Sequence, residues 1–187
     1  INSNKLYKNS GRDPESGDQV FIDTTPDVWE RDPDEEGIIG RGVSWCDFDN
    51  DGDPDLYAAG GCGCPCNAEE MPDNWGLRAK NRMWRNDGLD KSGEIVFTEM
   101  MIDPDWDEDG ESDETRHARG VACGDYDNDG DFDLYICNVG LDGPPIGWGI
   151  EGWNRLLENK LIDNGVTNSK NAFVFEDVTP IEVLGLR

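Results

Sequence analysis

This chain contains two nine-residue loops, and each of them places its carboxylates where they can converge on a metal ion of its own. Each loop has aspartates at its first, third, fifth, seventh and ninth positions and a glycine at the sixth, which permits a sharp turn. Without a cation the carboxylates would repel one another, and calcium suits them because it takes about 6–8 oxygen ligands in flexible geometry. We predict side-chain ligands at Asp47, Asp49, Asp51 and Asp55 and at Asp125, Asp127, Asp129 and Asp133, with backbone carbonyls from Asp53 and Asp131.

The EF-hand, another calcium-binding loop, does not fit this pattern. An EF-hand needs a bidentate Glu at its twelfth position, where this chain has Ala58 in one loop and Ile136 in the other. Both residues fall in short apolar runs that indicate β-strands. We therefore predict a calcium-binding turn between two strands in each case, against the alternative of an acidic turn that is merely solvated.

A third stretch, 105–113, repeats the arrangement, with acids at its first, third, fifth and ninth positions and a glycine at the sixth. Its flanks do not resemble strands, and the whole segment around it is acidic. It is either a third calcium site or a solvated acid-rich loop. Its candidate ligands are Asp105, Asp107, Asp109, Glu111 and Asp113.

The elements that position the loops also repeat. Segments that begin and end with Asn, at 4–9, 81–86 and 154–159, each precede a run of alternating apolar and polar residues typical of a half-buried strand. A loop hairpin followed by an Asn-segment hairpin predicts a four-stranded antiparallel unit, and a recurrence at roughly 75 residues indicates a propeller or stacked array. The predicted organisation is a half unit at 1–25 (the second hairpin of a unit), a full unit at 38–102 with a Cys/Gly-rich insertion at 60–80, an acidic insertion at 103–115, a second full unit at 116–180 and a tail at 181–187.

These motifs resemble a known family. The pattern Asp-x-Asp-x-Asp-Gly-x-x-Asp-Leu-Tyr, followed by the Asn segment and by Phe-x-Asp-Val-Thr, is similar to the FG-GAP/VCBS calcium-binding repeats of integrin-like β-propellers, especially the ASPIC/UnbV-like subset. The resemblance implies four-stranded blades, calcium held in a β-turn loop, and secreted or cell-surface proteins that mostly scaffold or adhere. The family's Phe-Gly and Gly-Ala-Pro signature is absent, so integrin-type ligand recognition is not implied.

The expected fold class is therefore all-β, with antiparallel four-stranded, propeller-like blades and calcium-binding β-turn loops. Propellers close with about four to eight blades. Two full units and a half unit are too few to close one, so we expect the chain to be a piece of a larger propeller or to be completed by neighbouring copies.

Charge and cysteine content limit the partners and the cellular location that we expect for this protein. A net charge of −26 disfavours nucleic acid, which requires a basic patch, and no apolar run approaches the ~20 residues of a membrane span. Six cysteines beside calcium loops favour an oxidising extracellular or cell-surface location. We predict a Cys123–Cys137 disulfide and a second bridge from Cys46 into the segment 62–66, against the alternatives of free thiols or soft-metal binding by that segment.

The sequence offers little for catalysis. His117 is its one histidine, and no nucleophile-elbow, zinc-protease or phosphate-loop motif is present. We predict a non-catalytic extracellular structural or scaffold subunit that self-associates, with head-to-tail assembly into a surface filament. The alternatives are an adhesion module that binds a glycan or protein ligand, with Trp75, Trp148 and Trp153 as its contact surface, or a fragment of a larger propeller protein.

Overall fold

The computed structural model describes residues 5–26, 29, 39–61, 81–100, 118–138, 154–161, 173 and 175–180. These residues form strands, turns and loops without an α-helix, so none of them belongs to a helix that could cross a membrane. The strands are β1 (Tyr7–Arg12), β2 (Gln19–Asp23), β3 (Ile39–Cys46), β4 (Asp55–Gly61), β5 (Arg82–Leu89), β6 (Ile95–Met100), β7 (Ala118–Gly124), β8 (Asp133–Asn138), β9 (Arg155–Asn159) and β10 (Phe175–Asp177).

The strands pair into three antiparallel sheets. The N-terminal hairpin joins β1 to β2, the first sheet has the order β3-β4-β5-β6, and the second sheet has the order β7-β8-β9-β10. Neighbouring strands are consecutive in sequence, so each four-stranded sheet is a meander of hairpins. The prediction of an all-β fold with antiparallel pairing is confirmed.

Three hairpins, β1–β2, β5–β6 and β9–β10, share one register. In each of them, the fourth residue of the Asn segment pairs with an acidic residue on the second strand of the hairpin. Because side chains alternate across a strand, equivalent positions of the three hairpins therefore lie on equivalent faces. The facing pairs are Tyr7 with Asp23, Trp84 with Glu99, and Leu157 with Asp177.

The core lies between the sheets. Because side chains alternate across a strand, one face of the first sheet packs against the second sheet and the other face packs against residues near the N-terminal hairpin. The first cluster joins Tyr57, Ala59 and Met83 to Leu134, Ile136 and Leu157, among others. The second cluster joins Leu56, Ala58, Trp84 and Phe97 to Leu6 and Trp29.

The two sheets also meet along their first strands. A methyl group built on Gly42 of β3 would lie 3.1 Å from the Cα of Gly120 in β7, which is closer than real Cβ contacts normally are. Glycine at position 42 therefore lets the two backbones run side by side. This approach places the loops that follow β3 and β7 at the same end of the molecule.

A disulfide joins the same two strands, and it differs from our prediction. Cys46 is bonded to Cys123, with 6.6 Å between their Cα atoms, and Cys137 is a free thiol. The predicted Cys123–Cys137 bridge is wrong because Cys123 pairs in register with Leu134, an odd number of residues from Cys137, so the two side chains point to opposite faces. The predicted bridge from Cys46 into the segment 62–66 is also wrong, because Cys46 is bonded to Cys123.

Several predictions concern residues outside the described part of the chain. These are the third acidic stretch at 105–113, most of the insertion at 60–80, His117, the tail at 181–187, and Trp75, Trp148 and Trp153.

Candidate metal-binding loops

The two acidic loops, 47–55 and 125–133, adopt the same backbone conformation. The fourth residue of each has a positive φ, 56° at Asn50 and 63° at Asn128, and so does the glycine at the sixth position, 100° at Gly52 and 101° at Gly130. Asn and Gly are the residues that tolerate this left-handed region best. The Asn-Asp-Gly sequence therefore encodes the curl that turns the aspartates inward.

The first aspartate of each loop stabilises this curl. Asp47 accepts hydrogen bonds from the backbone amides of Asp51 and Gly52, each at 3.0 Å. In the second loop, Asp125 accepts from the amide of Asp129 at 3.1 Å. The turn is thus formed by local side-chain to backbone bonds of the kind that Asp favours.

The ninth aspartate of the first loop ties it to the third strand of the first sheet. The Asp55 carboxylate accepts from the amides of Phe48 and Asn86, both at 2.8 Å. Asn86 ends an Asn segment, and its side-chain amide donates to the Pro54 carbonyl at 3.2 Å. The Asn segment therefore supports the loop. Its recurrence in the sequence indicated a repeat but not this role.

The second loop has the same support. Asp133 accepts from the amides of Tyr126 at 3.0 Å and Asn159 at 2.9 Å. The Asn159 side chain donates to the Phe132 carbonyl at 3.2 Å, as its counterpart does, and also to the Phe48 carbonyl of the first loop at 2.8 Å. Asn159 is fully buried, so one side chain holds both loops.

The loops contact each other directly as well. Asn50 donates through its side-chain amide to the Gly130 carbonyl at 3.3 Å. The Cys46–Cys123 disulfide lies immediately before the first loop and two residues before the second. The two acidic loops therefore form one continuous region of the surface.

Three of the five predicted aspartates converge in each loop. A carboxylate oxygen from each of the first, third and ninth positions lies within 4.8 Å of the other two. Asp51 and Asp129 are not in these sets; instead each accepts a hydrogen bond from the amide two residues later, at 3.0 and 3.1 Å. The converging sets are Asp47, Asp49 and Asp55, and Asp125, Asp127 and Asp133.

Asp49 is the converging carboxylate of the first loop that accepts no hydrogen bond. Its side chain is 0% exposed, and neither carboxylate oxygen accepts a hydrogen bond. Burial, followed by the negative charge of Asp51, raises the pKa of Asp49 to about 6, and neither the nearby Asp51 amide nor the positive charge of Arg85, both of which lower it, outweighs these effects. Burial also raises the pKa of Asp55 to about 7, despite two hydrogen bonds from backbone amides.

The second loop is more open. Asp127, which corresponds to Asp49, is exposed, although partial desolvation still raises its pKa. Asp133 is buried, and burial raises its pKa while the amides of Asn159 and Tyr126 lower it. The two loops thus share a geometry and differ in how much their charges are removed from water.

This arrangement can bind an oxygen-preferring cation. An ionised carboxylate that is buried without hydrogen bonds is costly unless a positive charge compensates it. The converging oxygens carry no soft ligand such as a thiolate or imidazole, so the donor set fits a hard divalent ion.

Comparisons with known proteins do not assign the chain to a family. No family model matches the sequence, and neither the curated proteins nor the solved structures gave a match. The role of these loops must therefore be inferred from their own geometry.

Proposed function

We propose that this protein is a calcium-binding, non-catalytic repeat protein that serves as a structural subunit outside the cell. Its two four-stranded sheets would be propeller-like blades of the FG-GAP/VCBS type. One observation carries the proposal: Asp49 is buried without a hydrogen bond, and its carboxylate lies within 4.8 Å of those of Asp47 and Asp55.

The oxygen spacing suits calcium. Two ligands at about 2.3–2.6 Å from one calcium ion lie up to about 5 Å apart, which accommodates the 4.8 Å limit of each set. Three carboxylates supply part of a shell of about 6–8 oxygens, and backbone carbonyls or water can complete it. Magnesium is less suitable because it requires a tighter, near-octahedral shell.

The proposed role is structural because the ligands also hold the fold together. Asp55 and Asp133 connect the loops to β5 and β9, and Asn159 and the disulfide connect the two loops to each other. Calcium that neutralises the loops would therefore stabilise the junction between the sheets. The Cys46–Cys123 disulfide supports an oxidising, extracellular setting.

Calcium titration of chelator-treated protein by isothermal calorimetry tests this proposal. We expect binding of calcium in preference to magnesium, and a rise in the midpoint of thermal unfolding when calcium is added. Asp49→Asn and Asp127→Asn should each weaken one site. Asp18→Asn, which removes a charge from the exposed N-terminal hairpin, should bind calcium as the wild type does. No binding heat together with an unchanged unfolding midpoint would refute the proposal.

A further inference from the structure

The outward face of the second sheet repeats a face that is buried elsewhere in the molecule. The first sheet presents Phe48 and Tyr57 to the second sheet, and these side chains are 0% and 1% exposed. At the corresponding positions the second sheet carries Tyr126 and Tyr135, which are 48% and 38% exposed. Aromatic side chains at equivalent positions are therefore buried in the first sheet and exposed in the second.

The N-terminal hairpin presents the complementary face, and that face is open too. Trp84 and Phe97 of the first sheet are buried, as are Leu157 and Phe175 of the second. The shared register places Tyr7 and Phe21 at the corresponding positions of the N-terminal hairpin. Both of these side chains are open to solvent, since Tyr7 is 55% exposed and Phe21 is 58% exposed.

The junction between the two sheets shows how such faces pack. Phe48 meets Phe175 edge to face, with ring centroids 5.9 Å apart and planes at 77°. Edge-to-face packing is a favourable geometry for aromatic rings. If the two open faces met in the same way, Tyr126 of one molecule would lie against Phe21 of another.

We propose that copies of this chain associate head to tail, with the Tyr7/Phe21 face of the N-terminal hairpin docked on the Tyr126/Tyr135 face of the second sheet. The occupant is a second copy because the two open faces correspond to the two sides of an interface already present within one chain. The two faces differ, so the contact is heterologous and can extend into a ring or filament. This inference rests on the proposed structural role.

Charge opposes this association and makes it dependent on calcium and salt. The chain carries a net charge of −26, so two copies repel each other in solution. Calcium would reduce that charge at the loop beside Tyr126, and added salt would screen the remainder. Association should therefore strengthen with either addition and weaken in a chelator at low salt.

Sedimentation velocity over a wide concentration range in calcium tests the proposal with matched variants. Phe21→Asp blocks one face, Tyr135→Asp blocks the other, and Leu89→Asp changes a 68% exposed residue on the first sheet as the control. We expect the wild type and Leu89→Asp to form oligomers and each blocked variant alone to be monomeric. An equimolar mixture of the two blocked variants should form dimers and nothing larger, because one intact face of each kind remains.

Crosslinking provides a second test that does not depend on the aspartate variants folding. Copies with Phe21→Cys, mixed with copies with Tyr126→Cys and oxidised, should yield a disulfide between the two introduced thiols, identified by mass spectrometry. A wild type that stays monomeric at every concentration, or a mixture without this crosslink, would overturn the proposal. Calcium calorimetry on the same samples separates the two ideas, since calcium binding without association refutes only the docking.

Discussion

Replacing Asp49 with Asn should change the free energy of unfolding in opposite directions with and without calcium. In the metal-free protein the Asp49 carboxylate is 0% exposed and accepts no hydrogen bond. At about pH 8 it is ionised in the folded state at an unfavourable cost. An Asn side chain removes that charge, and its amide can donate to the neighbouring carboxylates. Asp49→Asn should therefore stabilise the protein in EDTA.

The pKa of Asp49 sets the size of this effect. Burial raises that pKa from 3.8 to about 6. A shift of about two units corresponds to about 3 kcal/mol at most, and water reaching the loop reduces this, so we expect about 1–2 kcal/mol in EDTA. In saturating calcium the gain of about 1–2 kcal/mol persists, but an affinity weakened by about a hundredfold removes about 3 kcal/mol, so the net effect of Asp49→Asn becomes destabilising.

Urea unfolding followed by tryptophan fluorescence measures both values on the same protein. Asp127→Asn is the matched control, since Asp127 holds the same loop position but is exposed; it should lose stability in calcium and change little in EDTA. If Asp49→Asn were equally destabilising in EDTA and in calcium, Asp49 would serve packing rather than metal binding, and the reasoning would fail.

Three further predictions concern the junction and its charges. Asn159→Ala loses three side-chain hydrogen bonds, two to backbone carbonyls and one from the Leu161 amide, whereas Asn86→Ala loses two, one to the Pro54 carbonyl and one from the Gly88 amide. Asn159 is also the more deeply buried of the two, so urea unfolding should show a larger loss for Asn159→Ala, about 2–3 kcal/mol. Gly42→Ala places a methyl group 3.1 Å from the Gly120 Cα and should cost about 1–3 kcal/mol, whereas Gly124→Ala, which meets open space, should cost less than 1 kcal/mol as judged by thermal unfolding. In EDTA the two buried aspartates of the first loop have folded-state pKa values of about 6 and about 7, above their ordinary 3.8, so the folded state binds more protons than the unfolded state. The free energy of unfolding in EDTA should therefore rise as the pH is lowered from about 8 to about 5, and a fall over that range would contradict the assignment.

Much of the local structure could be predicted because its causes are local. Alternating apolar and polar residues predicted the strands of the antiparallel hairpins, and the glycine at the sixth position of each acidic loop predicted the sharp turn that brings the aspartates together. The convergence of the first, third and ninth positions in each loop agrees with the predicted spacing. Whether calcium occupies these sets remains a prediction.

The disulfide shows where local reasoning failed. The prediction paired Cys123 with Cys137 because both flank the second loop, but the alternation of side chains along β7 and β8 puts them on opposite faces. Cys46 becomes the partner only because β3 and β7 run side by side at Gly42 and Gly120. No spacing within either loop encodes that approach.

The sequence by itself determined the repeat, the all-β class and the two inward-turning acidic loops, since each depends on residues close together in the chain. Only the tertiary structure decided that Asp49 is buried while Asp127 is exposed, that Asn159 holds both loops, and that Tyr57 is covered while Tyr135 is open. These differences arise from which faces of the two sheets meet, and near-identical motifs therefore acquire different environments on either side of one junction.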